Sequence, residues 1–113
     1  MKSLSLSHEE HAFLDSYKNA LDERFPGLVE DVVVYGSKAR GDANADSDLD
    51  IFLLIRDGDW RLKNSVCEPA DDLSIGLGFV PSIMVYTVAE WEKRRASGSV
   101  YRRAVERDGV SVR

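Results

Sequence analysis

The chain has 113 residues, 43% hydrophobic and 31% charged, with eight glycines and three prolines; this is the make-up of one globular domain over residues 1–113 and excludes a disordered or collagen-like chain. A formal net charge of −5, from 20 acidic and 15 basic residues, argues against a dedicated nucleic-acid binder, which needs a basic surface to neutralise phosphates. The single cysteine, Cys67, excludes a disulfide framework and a cysteine-based zinc site, and the absence of a secretory leader or of an apolar run of about 18 residues predicts a cytoplasmic protein with no membrane partner.

Ser7 followed by Glu10 forms a capping box, after which Phe13, Leu14, Tyr17, Ala20, Leu21 and Phe25 recur at helical spacing until Pro26-Gly27. His8 and His11, at the start of that helix, read as surface residues. Valine-rich Val29 to Tyr35 predicts a strand ending at Gly36, and the almost continuously apolar Leu49 to Ile55 predicts a second; both have the character of central strands. Asp57-Gly58 marks a turn, and Trp60, Leu62, Val66, Leu73 and Leu77 then predict one kinked helix or two short ones around Pro69. Ile83 to Tyr86 is a third strand. Thr87 with Glu90 makes a second capping box opening a helix to about Ala96, and a last helix runs from near Ser99 to before Gly109. Trp60 and Trp91, beside helix starts, read as packing residues. The order α, β, loop, β, α, β, α, α predicts an α+β domain, a small sheet with helices packed mainly on one face.

Between the first two strands lies a polar loop that re-enters the sheet through Asp48-Leu49-Asp50. Side chains alternate along a strand, so Asp48 and Asp50 point the same way, with Cα atoms about 6–7 Å apart, and Leu49 points to the opposite face. Two carboxylates in one partly buried site repel each other unless a cation neutralises them. Oxygen-only ligands favour a hard cation, and Mg²⁺ in particular is held by one or two carboxylates together with substrate phosphates. Gly36-Ser37 supplies a corner where backbone can approach a phosphate, Ser37 adds a hydroxyl donor, and Lys38 and Arg40 are candidate counter-charges. Taken singly, these are common turn residues. Gly36, Ser37, Asp48 and Asp50 together arise by chance in about one chain in a thousand of this length.

The stretch "GSKARGDANADSDLDIFLL", with Gly36-Ser37 ten residues ahead of Asp48-Leu49-Asp50, resembles the signature of the DNA polymerase beta-type nucleotidyltransferases. The wording and the short chain are most similar to the minimal nucleotidyltransferases, including antitoxin partners of HEPN ribonucleases. The resemblance is tight from Val32 to Ile55 and looser elsewhere. It implies a small polymerase beta-like palm in which Gly36 and Ser37 hold a nucleoside triphosphate, ATP first among candidates, while Asp48 and Asp50 are the catalytic pair that binds Mg²⁺. It also implies a HEPN-type toxin protein as partner. Active members carry a third carboxylate on the next strand; here the matching residue is Ser82, and nothing from Phe79 to Val88 is acidic. Asp42, Asp46, Asp71, Asp72 and Glu90 are the available substitutes, of which the last three read as solvated helix residues.

Two functions follow. The first is an Mg²⁺-dependent nucleotidyltransferase domain moving a nucleoside monophosphate from NTP to a partner protein, as the antitoxin of a HEPN pair. The alternative is a catalytically degenerate module that binds nucleotide or a partner without turnover, because Ser82 stands where a carboxylate is expected. The stretch from Lys93 to Arg113 holds Lys93, Arg94, Arg95, Arg102, Arg103 and Arg107 before the terminal Arg113, against Glu106 and Asp108. It reads as a solvated helix face, or as a docking patch for an acidic partner or nucleic acid. Oligomerisation is left open by these residues.

Overall fold

A computed structural model describes residues 6–36, 49–79 and 81–113. In chain order its elements are α1 (His8–Arg24), β1 (Val29–Tyr35), β2 (Leu49–Ile55), α2 (Trp60–Ser74), β3 (Pro81–Thr87), α3 (Val88–Ala96), α4 (Val100–Asp108) and β4 (Val110–Ser111). The strands form one mixed sheet in the order β3-β2-β1-β4, with β1 antiparallel to β2 and β4 and β2 parallel to β3. This is the expected α+β architecture, with β1 and β2 central.

Local chemistry accounts for most boundaries. Ser7 accepts from the Glu10 amide while the Glu10 carboxylate accepts from the Ser7 amide, which starts α1 by satisfying two otherwise unpaired donors. Thr87 and Glu90 do the same for α3, and Asp59 caps α2 by accepting from the Arg61 and Leu62 amides. Pro69 does not split α2, although it has no N–H to offer the Ser65 carbonyl. One residue along, the Val66 carbonyl accepts a 2.6 Å hydrogen bond from the fully buried Tyr17 hydroxyl, so α1 supports α2 beside the proline.

Alternation divides the core. Leu49, Ile51, Leu53 and Ile55 leave β2 on the face covered by α1 and α2, where they meet Val32, Val34, Phe13, Leu14, Tyr17, Leu21 and Val66 in the larger core. The main helical layer is therefore on one face. On the other face, Val33 and Phe52 pack with Trp91 of α3 and Val105 of α4 in a smaller cluster. Trp91 is core, as expected, whereas Trp60 is exposed at the start of α2 with the Arg61 guanidinium over its ring. The two-residue β4 was not foreseen. It is too short to announce itself by periodicity and exists only because the chain after α4 passes the free edge of β1.

Candidate active site

Antiparallel pairing sets Tyr35, the last residue of β1, opposite Asp50, the second residue of β2. On the other side of β2, the parallel ladder sets Ser82 opposite the same Asp50. Directly opposed residues leave a sheet on the same face, so Tyr35, Asp50 and Ser82 make one row across three strands at one end of the sheet. Leu49 goes to the opposite face and is fully buried, as alternation predicted.

Gly36 closes the row. Its φ of +77° is a conformation that residues with a side chain rarely adopt, and a Cβ at this position would lie 2.5 Å from Asp50 Oδ2. Glycine is thus required both by the turn of the backbone and by the carboxylate packed against it. The result is a half-buried carboxylate with bare backbone beside it and a serine across the ladder.

Tyrosines form the adjoining wall. The Tyr101 hydroxyl donates to the Tyr35 hydroxyl at 3.1 Å, their rings meet edge to face with centroids 5.7 Å apart, and Tyr86 lies 5.7 Å from Tyr101. Burial pushes the Tyr35 hydroxyl above the ordinary phenol range, and the Asp50 charge adds to this, while the hydrogen bond from Tyr101 acts the other way. Burial raises Tyr101 further, followed by its hydrogen bond to Tyr35. Both phenols stay protonated at neutral pH and offer neutral hydroxyls beside the carboxylate.

Of the residues singled out from the sequence, Gly36, Asp50 and Ser82 are brought together. Ser37, Lys38, Arg40 and Asp48, with Asp42 and Asp46, lie outside the described residues. Asp71 and Asp72 are exposed on α2, and His8 and His11 are exposed on α1. Glu90 is not simply solvated: its carboxylate takes up the Lys63 ammonium, 2.6 Å from Oε1, and the hydrogen bond from Lys63 is the main cause that holds it below the usual carboxylate range. Among the described residues no group of three or more His, Cys, Asp or Glu side chains is placed to hold a metal by itself. Among the described residues, the side chains set opposite Asp50, Tyr35 and Ser82, offer oxygen atoms, which suits a hard cation completing its shell with phosphate or water. Sequence reasoning passed over the tyrosines. Tyr35 was visible as the last strand residue before Gly36, but Tyr86 and Tyr101 reach it from distant parts of the chain, and no spacing marks them.

The family profile described as a nucleotidyltransferase domain matches residues 14–103, from within α1 into α4. The chain belongs to that family. It is also 35% identical over 60 residues to the Methanocaldococcus jannaschii protein named "Putative protein adenylyltransferase MJ0604", a match covering 53% of this chain and 58% of that protein. The chain thus spans little more than half the length of the curated relative it matches. Among the described residues of this nucleotidyltransferase domain, no helix is long and apolar enough to cross a membrane.

Proposed function

We propose that this nucleotidyltransferase domain moves AMP from ATP to a hydroxyl of a partner protein in an Mg²⁺-dependent reaction, with a HEPN-type toxin as the partner and the domain as its antitoxin. The observation that supports this chemistry is the closeness of Gly36 to Asp50: open backbone beside a carboxylate suits a triphosphate that brings a cation with it. The protein acceptor rests on the name of the archaeal relative and on the likeness of the "GSKARG" and "SDLD" segments to the antitoxin group.

In this reading Asp50, with Asp48, holds Mg²⁺, Gly36 and Ser37 accept the triphosphate, and Lys38 and Arg40 offset its charge. Bound there, the ion would neutralise phosphate charge and orient the chain for in-line displacement. The acceptor oxygen forms its bond to the α-phosphorus as the bond to pyrophosphate breaks, and the hydroxyl proton is given up to water. Gly36 keeps the approach clear, and the neutral Tyr35 and Tyr101 hydroxyls add no negative charge beside the phosphates.

Ser82 favours a second reading. It occupies the strand position paired with Asp50, where a third carboxylate would help activate the acceptor, and a hydroxyl does this poorly. A domain that binds nucleotide without turning it over follows from that replacement. Incorporation of α-labelled ATP into a co-purified partner separates the two. Transfer is expected from the wild type and absent from Asp50→Asn; label seen only with Ser82→Asp would establish the binding module. Equal Mg²⁺-dependent ATP affinity in wild type and Asp50→Asn, measured by calorimetry, would remove the metal assignment.

A further inference from the structure

The chain carries a net charge of −5, yet α3 and α4 expose Lys93, Arg94, Arg95 and Arg103. Two adjoining hollows share Arg94. The larger, about 560 Å³, is bounded by Tyr86, Glu90, Lys93 and Ser97; the smaller, about 170 Å³, lies against Arg95, Arg102 and Arg103. Arg102 is buried and already committed: it donates to the Trp91 carbonyl and to Glu106, and its guanidinium lies 4.9 Å over the Trp91 ring. The others are differently placed. Arg94 lies 5.3 Å over the Tyr86 ring, and among the described residues Arg95 makes an exposed 3.6 Å pairing with Glu92. Lys93 and Arg103 have no ion pair among the described residues. Like charges gathered on one face repel each other and attract an acidic surface.

This face leads to the candidate active site. Arg94 covers Tyr86, Tyr86 contacts Tyr101, and the Tyr101 hydroxyl reaches Tyr35, which stands opposite Asp50. A chain bound along α3 and α4 would therefore be held next to the wall beside Asp50. We infer that the α3–α4 face is a docking surface for an acidic segment of the acceptor protein. The inference rests on the protein-acceptor reading above and adds the chemistry by which the acceptor is held. Charge complementarity selects an acidic polypeptide over a nucleic acid. Glu90, Glu92 and Glu106 are interspersed with the cations and would oppose a continuous phosphate backbone, whereas acidic side chains spaced along a peptide can be set between them.

The test measures, by fluorescence anisotropy at low and physiological salt, binding of a labelled peptide of eight glutamates alternating with serines and of an oligonucleotide of similar charge. The peptide is expected to bind the wild type, more weakly at higher salt, and at least tenfold more weakly in the Lys93→Glu, Arg94→Glu, Arg103→Glu triple variant. A control with the same change in net charge, Arg24→Glu, Arg56→Glu, Arg61→Glu, should retain binding. If circular dichroism shows the reversal variant unfolded, the Gln variants at the same three positions take its place, with the same expected loss. No peptide binding by the wild type, equal loss in variant and control, or tighter binding of the oligonucleotide would overturn the inference. ATP calorimetry on each variant keeps the two readings apart. Affinity retained in the triple variant and lost in Asp50→Asn leaves the nucleotide site standing whatever the peptide does; affinity unchanged in Asp50→Asn strikes the transfer reading instead.

Discussion

Gly36 is held by two constraints that can be separated. A residue with a side chain at its positive φ costs about 1–2 kcal/mol, and the added Cβ must also displace the Asp50 carboxylate. Gly27, at the other end of β1, has a similar φ of +76° with nothing within 4 Å of the corresponding Cβ. Gly27→Ala should therefore lower stability by about 1–2 kcal/mol, several degrees in a thermal melt, and Gly36→Ala by at least as much. Only Gly36→Ala should weaken Mg²⁺-dependent ATP binding as well. Equal ATP affinities in the two variants would show that the Asp50 contact has no role in the site. Ser82 was placed by the family resemblance, and it is the parallel ladder that sets it opposite Asp50, on the face of Met84 and Tyr86.

The helices are fastened at their ends, and α3 depends on its N-terminus most. Its nine residues are too few for propensity alone to stabilise it. Thr87 and Glu90 supply the cap, and Lys63 ties the same Glu90 carboxylate to α2. Thr87→Ala should cost about 1 kcal/mol. Because the folded state holds Glu90 below the ordinary carboxylate range, its contribution is present above the unfolded value and is lost as pH falls through the folded one. Urea midpoints followed from pH 6 to pH 3 should show a loss of stability that is smaller in Glu90→Gln. An identical acid profile for the variant would mean the Lys63 link adds nothing. The capping residues were legible in advance, whereas Lys63 was not, since only the packing of α2 against the rest of the fold brings it to α3.

Across the whole molecule, three buried or half-buried phenols report on both faces of the sheet. Tyr17 lies in the larger core and Tyr35 and Tyr101 lie beside Asp50; burial raises all three, and for each it is the largest cause. A raised value means stability that is complete below the unfolded phenol range and falls as pH rises, since the unfolded chain loses these protons first. The urea midpoint should therefore drop above about pH 10. Tyr17→Phe should blunt that drop while costing about 1 kcal/mol at neutral pH through loss of its bond to the Val66 carbonyl. A flat alkaline limb for the wild type would contradict the burial of these side chains. Both faces pack on the same central strands, so the transition should be single.

Element identity was decided locally. β1 and β2 fall on Val29–Tyr35 and Leu49–Ile55 as the valine run and the apolar run predicted, and the Ser7–Glu10 and Thr87–Glu90 boxes start their helices, because alternation and capping act over a few residues. That Gly36 and Asp50 serve one site was expected from phosphate and cation chemistry and from the family resemblance; the antiparallel pairing of β1 with β2 is what brings them together. What only the tertiary structure decided are the contacts between distant segments. Tyr101 meets Tyr35 across 66 positions, Tyr17 braces the proline-bearing helix from 49 positions away, and β4 finds the edge of β1. Such partners are selected by how helices and strands pack in space, a selection that leaves no periodic mark in the chain.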